Sequence, residues 1–209
     1  MRRPALDGWF WRFTWPDGRV AIVLCGVCPG WAVAGVGLHP GRVWRSAILD
    51  GPQVDGRGVR IGPAFAGDPE RVRVDLGEDV RVQAELTDAV RWPRRWPGTG
   101  PAGRLPGLRQ YWLPHVLRAR AHGSVMGWDL EGATAYAERN WGKGFPPVWW
   151  WGEAHDFGGD PVTVAFAGGP ALGPIRATAL VVRVDGRIVR LGEPVLAAVA
   201  ADASPGRWV

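Results

Sequence analysis

Residues 136–157 read YAERNWGKGFPPVWWWGEAHDF, which sets carboxyl groups, a tyrosine, an asparagine and a histidine among four tryptophans. Successive side chains of a strand point to opposite faces. A strand here therefore places Tyr136, Glu138 and Asn140 on one face and Ala135, Ala137, Arg139 and Trp141 on the other. Beyond a Gly/Pro turn over residues 142–147, the positions Trp149, Trp151, Glu153, His155 and Phe157 share a face. Protonatable groups set among indole rings suit acid chemistry on an apolar, carbon-rich ligand. The same pattern also suits an aromatic core in which Glu138 and Asn140 only satisfy buried backbone groups.

Glu138 is the first candidate acid. A carboxyl buried among tryptophans loses solvation of its charged form and holds its proton closer to neutral pH. Tyr136 and Asn140 are placed to orient it, or to hold a phenol oxygen. An imidazolium is the rival acid, from His122 or from His155 beside Glu153. Trp149 and Trp151 could face a developing cation, a contact worth about 2 kcal/mol when desolvated. Trp9, Trp11 and Trp141 join Trp149, Trp151, Glu153 and His155 as expected ligand contacts, although any single tryptophan also fits a plain core.

These side chains need a scaffold, and the composition says which kind. Gly 31 and Pro 19 make about a quarter of the 209 residues, while 46% are hydrophobic, which excludes a disordered chain. Short Val-, Trp- and Arg-rich runs between Gly/Pro punctuation predict strands over 9–15, 20–28, 31–38, 42–49, 58–61, 71–76, 80–86, 116–125, 133–141, 148–157, 162–166, 175–184 and 188–191. Asp17-Gly18 and Asp185-Gly186 are hairpin turns. The expected fold is all-β with little helix, a closed antiparallel barrel or two packed sheets in a single domain over 1–209. Residues 91–107 carry too much Gly and Pro for regular structure and form a long loop, whose tryptophans suit a lid or a membrane-facing rim. The tail from 203 to 209 reads as loose.

Other function classes find little support. Of the 25 Lys and Arg residues, Lys143 is the one lysine. The arginines are scattered, without the basic stripe or motif of a nucleic-acid surface. Residues 21–38 are uncharged for 18 positions, but Pro29-Gly30 breaks the run, so two buried strands are expected there rather than a membrane span. Cys25 and Cys28 form a CxxC without the further ligands that zinc needs and without a helix to open, and read as small buried hydrophobes. No phosphate loop, nucleophile elbow or HExxH occurs. No metal and no cofactor is expected.

Tyr136-Ala-Glu-Arg-Asn-Trp-Gly-Lys-Gly-Phe-Pro146, followed by Trp149 and Trp151, resembles the Y-x-E-K-[ND]-W-G-x-x-F-P…W-x-W signature of tocopherol cyclases. Asp7-Gly-Trp-Phe-Trp-Arg-Phe13 is similar to that family's early E-G-W-Y-F-[KR]-V segment. Leu105-Pro-Gly-Leu-Arg-Gln-Tyr-Trp112, Pro114 and His122-Gly123 resemble its P-G…G-W-Y…P…H-G stretch, in the same order. The resemblance implies a lipocalin-like antiparallel fold, related to that of carotenoid hydratases, and closure of a chromanol ring on a prenylated hydroquinone. The chain is shorter than the plant enzymes between His122 and Tyr136 and after the Trp-rich strand. It also carries Glu153 and His155 where the family has Gln and Asn.

The expected function is thus acid-catalysed cyclisation of a prenylated phenol or similar isoprenoid. The alternatives are an isoprenoid hydratase, or a non-catalytic carrier or sensor of a hydrophobic small molecule on the same barrel. The expected partner is a hydrophobic ligand, with no nucleic acid. The expected location is the cytoplasm, with peripheral membrane contact open; the oligomeric state is undetermined.

Overall fold

The computed structural model describes residues 5–55, 57–77, 79–92, 108–157, 160–172, 175–193, 203–204 and 207–208. Every regular element among them is a strand. In chain order these are β1 (Leu6–Thr14), β2 (Val20–Cys28), β3 (Trp31–His39), β4 (Val43–Asp50), β5 (Gln53–Val54), β6 (Val59–Ile61), β7 (Phe65–Gly67), β8 (Arg71–Asp75) and β9 (Arg81–Arg91). They continue as β10 (Gln110–Val125), β11 (Trp128–Asp129), β12 (Thr134–Gly142), β13 (Trp150–Phe157), β14 (Asp160–Leu172), β15 (Ile175–Val184), β16 (Arg187–Glu193), β17 (Ala203–Ser204) and β18 (Arg207–Trp208). Each of the thirteen expected strands has its counterpart. The five others are two or three residues long, too short to show a period of two.

The chain divides into two compact units, Met1–Trp92 with Pro114–Trp141 and Pro93–Leu113 with Gly142–Val209. The large sheet runs β4-β3-β2-β1-β12-β10-β9-β8-β7-β6-β5, with β11 paired to β10, and curls as a half-barrel. Its first four strands form a meander and β5–β10 another. β12 returns between β1 and β10 and joins them. That insertion makes β12 a central strand.

The inner face follows directly from alternation. In β1, LDGWFWRFT, every second residue is buried: Asp7, Trp9, Trp11 and Phe13. Opposite them stand Ala21, Val23 and Cys25 on β2 and Ala32, Ala34 and Val36 on β3. Small residues there leave room for the indoles. Trp11 lies so close over Gly67 that a Cβ at that glycine would sit 2.4 Å from the ring. The Trp11 N–H donates to the Asp68 carbonyl at 3.1 Å. The uncharged run of residues 21–38 is the β2–β3 hairpin, turned at Pro29-Gly30 with Gly30 at φ +89°. Among the described residues, no helix is long and apolar enough to cross a membrane.

The second sheet has the order β13-β14-β15-β16, all antiparallel, with Asp185-Gly186 closing its last hairpin as expected. Two expectations are corrected at their edges. Arg91 belongs to β9 and the Trp92 N–H bonds the His115 carbonyl at 3.2 Å, so the long connection starts later than residue 91. Trp92 is buried, not a rim residue; residues 93–107, including Trp96, lie outside the described residues. In the tail, β17 pairs with β18.

Candidate functional site

β12 is buried on both faces. Ala135 and Ala137 join the hydrophobic core on one side, and Tyr136, Glu138 and Asn140 are buried on the other, as the period of two requires. The three polar side chains bond to one another. The Tyr136 hydroxyl donates to Glu138 Oε2 at 2.6 Å, and Asn140 Nδ2 donates to Glu138 Oε1 at 2.7 Å. Glu138 is only 5% exposed and Tyr136 not at all. Both carboxyl oxygens thus hold a donor in a dehydrated setting. The donors favour the carboxylate and the burial favours the neutral acid. With the phenol 2.6 Å away, a proton can move between the two oxygens.

The other face of β12 carries a second charged group. Arg139 makes a two-pronged bond to Asp7 of β1, Nε to Oδ1 at 2.8 Å and one terminal nitrogen to Oδ2 at 2.6 Å. Its guanidinium lies 4.9 Å from the Trp9 ring centre and 5.2 Å from that of Trp141. Sequence reasoning named Trp9 and Trp141 as ligand contacts and overlooked Asp7 and Arg139 as a pair. A carboxylate on the inward register of β1, in line with Trp9 and Trp11, was the available signal, since a buried charge demands a partner. Trp9 also stacks on Trp11 (6.3 Å) and on His115 (5.5 Å), so this aromatic column packs on protein groups.

The second unit has a polar pair of its own. Glu153 and His155, two apart on β13, share a face, with Glu153 Oε1 in close contact with His155 Nε2. Both side chains are nearly fully buried. Thr163 faces His155 across the β13–β14 ladder, and Ala165 faces Glu153; both are fully buried. Trp151 is half-buried opposite Ala167. Trp149 precedes β13 and is half-exposed, its ring 4.9 Å from that of Phe145.

Residues 109–208, which contain all of these groups except those of β1, match the model of the family described as tocopherol cyclase-like. Over those residues the chain is similar to that family. A stretch of 69 residues is 36% identical to the "Probable tocopherol cyclase, chloroplastic" of Oryza sativa subsp. japonica and takes in 28% of this chain and 15% of that protein. In fold, the chain is similar to the crystal structure of kievitone hydratase from Nectria haematococca, with a TM-score of 0.57 and 14% identity, over 88% of this chain and 63% of that one. The fold is all-β and lipocalin-like. This chain spans less than two thirds of either relative.

His122 lies on β10, a different strand from the one that carries the Glu138 cluster. It is half-exposed on β10, with Nε2 2.9 Å from the Thr87 hydroxyl and Nδ1 3.8 Å from Glu131. It borders a groove of about 920 Å3 on the outer side of β5–β10, where Arg57, Arg60, Arg71, Arg73 and Glu85 also line the walls. Such a charged surface does not match a prenyl chain. The CxxC separates into two unlike thiols. Cys25 is buried, and desolvation, with a smaller push from the Asp7 charge, raises its thiol to about 12. Cys28 is partly exposed. Alkylation by iodoacetamide at pH 8 should therefore modify Cys28 and leave Cys25 untouched in the folded protein; peptide mass mapping reads the result, and equal labelling would contradict the burial of β2.

Proposed function

We propose that this protein is an acid–base catalyst acting on a prenylated phenol, and that the buried Tyr136–Glu138–Asn140 cluster carries the proton transfer. The observation behind this reading is the pair of short hydrogen bonds that tie one dehydrated carboxyl to a phenol and an amide. Cyclisation needs a proton on the alkene and removal of the proton from the phenol oxygen that captures the tertiary cation. A protonated Glu138 can donate to Tyr136 while the Tyr136 hydroxyl passes its own proton to the alkene carbon. When the C–O bond forms, the substrate's phenol proton returns along the same path. No proton is gained or lost, so one carboxyl serves as acid and base in turn. Asn140 keeps the carboxyl in position throughout. An indole face contributes about 2 kcal/mol to cation stabilisation, so orientation of the folded substrate must supply most of the remainder.

Hydration is the second reading, since the same acid acts if water rather than the phenol oxygen captures the cation. Incubating the protein with a prenylated hydroquinone and weighing the product separates them. A cyclised product has the substrate's mass, and a hydrated one gains one water. Tight binding with no product would leave a carrier and overturn the catalytic reading.

A further inference from the structure

We propose that the tip between β12 and β13, residues 143–149, is a docking surface for an anionic lipid bilayer. Phe145, Val148 and Trp149 are 40%, 64% and 50% exposed, and Pro147 is exposed beside them. Pro146 and Trp150 are buried, so the segment has an inward side that is packed and an outward side that is apolar. Isolated exposed hydrophobic residues are ordinary; four within five positions, two of them aromatic rings in tilted contact, are not. Tryptophan beside phenylalanine on an exposed loop suits the headgroup boundary, where an indole keeps an apolar body and a polar N–H.

The tip is held in shape before it meets a partner. The Lys143 N–H donates to the Arg109 carbonyl at 2.8 Å, and Arg109 Nε donates to the Phe145 carbonyl at 3.3 Å. Gly142 lets the chain pass this carbonyl, since a Cβ there would lie 2.4 Å from the Arg109 oxygen. Arg109 is held to the tip through its side chain and Lys143 through its backbone. Lys143 and Arg109 are both exposed at the base of the aromatic tip, and residues 140–152 contain no Asp or Glu. A cationic base under an apolar point is complementary to a bilayer with anionic headgroups. A second protein is a poorer match, because stable protein interfaces engage about 20–30 residues a side, far more than the tip offers. The inference stands independently of the Glu138 chemistry.

Co-sedimentation with vesicles of phosphatidylcholine alone, or of phosphatidylcholine mixed with phosphatidylglycerol, tests it. The protein should bind the mixed vesicles more tightly, and added salt should weaken that binding. Phe145→Ser with Trp149→Ser should lower it at least about tenfold, and Lys143→Glu about fivefold or more. Lys143→Glu and the salt series decide the matter alone if the double variant does not fold. Absence of binding by the unaltered protein would overturn the proposal. So would binding that both variants retain, or lipid-free self-association that the double variant abolishes without any vesicle binding.

Discussion

Glu138→Gln is expected to lower turnover of a prenylated phenol by at least about a hundredfold, the size of effect seen when a positioned acid–base group is lost. Glutamine has the same shape, and its oxygen and amide can still bond Tyr136 and Asn140, so the fold and ligand affinity should change little. Only the transferable proton disappears. Tyr136→Phe should fall in the same direction by cutting the relay, again with ligand binding preserved. The measurements are steady-state rates beside ligand titration and thermal melting of each variant. A Glu138→Gln protein with undiminished turnover would reduce the cluster to a structural hydrogen-bond network.

The largest effect on stability is expected at Asp7. Asp7→Ala leaves the Arg139 guanidinium largely buried between Trp9 and Trp141 without its carboxylate. Removing one member of a buried pair costs about 3 kcal/mol or more, and cation–π contact with two indoles offsets only part of that. Arg139→Met alone should also destabilise, by stranding Asp7. The double variant Asp7→Leu/Arg139→Met should recover most of the loss, because neither charge is then left in the interior. Urea unfolding of the unaltered protein, Asp7→Leu, Arg139→Met and the double variant gives the coupling energy. Additive losses would mean that the pair is not a unit, whatever its geometry.

These two sites differ in how far the sequence alone reveals them. Alternation along β12 placed Tyr136, Glu138 and Asn140 together, and their mutual hydrogen bonds need nothing beyond one extended strand. Glu153 and His155 meet on β13 for the same reason. The Asp7–Arg139 pair joins residues 132 positions apart. It exists because β12 inserts beside β1, and strand order in a sheet is decided by how the hydrophobic faces close on each other rather than by any local pattern.

Alternation carried on from Trp112, Pro114 and Val116 would turn His122 inward, and β10 does not follow it. Register shifts occur on β10 between Val116 and Arg118 and between Arg118 and Arg120, and Val116 and Leu117 are both fully buried. After that break, Leu117, Ala119 and Ala121 face inward and His122 faces out. An extra residue in a strand reverses the facing of everything after it, and the sequence Val-Leu-Arg-Ala-Arg carries no mark of it.

By itself, the sequence determined an all-β chain, its main strands and the two faces of β1 and β12, because all of these follow from local periodicity and turn chemistry. The tertiary structure alone decided which faces meet. It set Trp11 over Gly67, closed Asp7 on Arg139, turned His122 outward and left Phe145 and Trp149 uncovered. Each of those outcomes depends on contacts between residues far apart in the chain, or on a bulge that no two-residue period encodes.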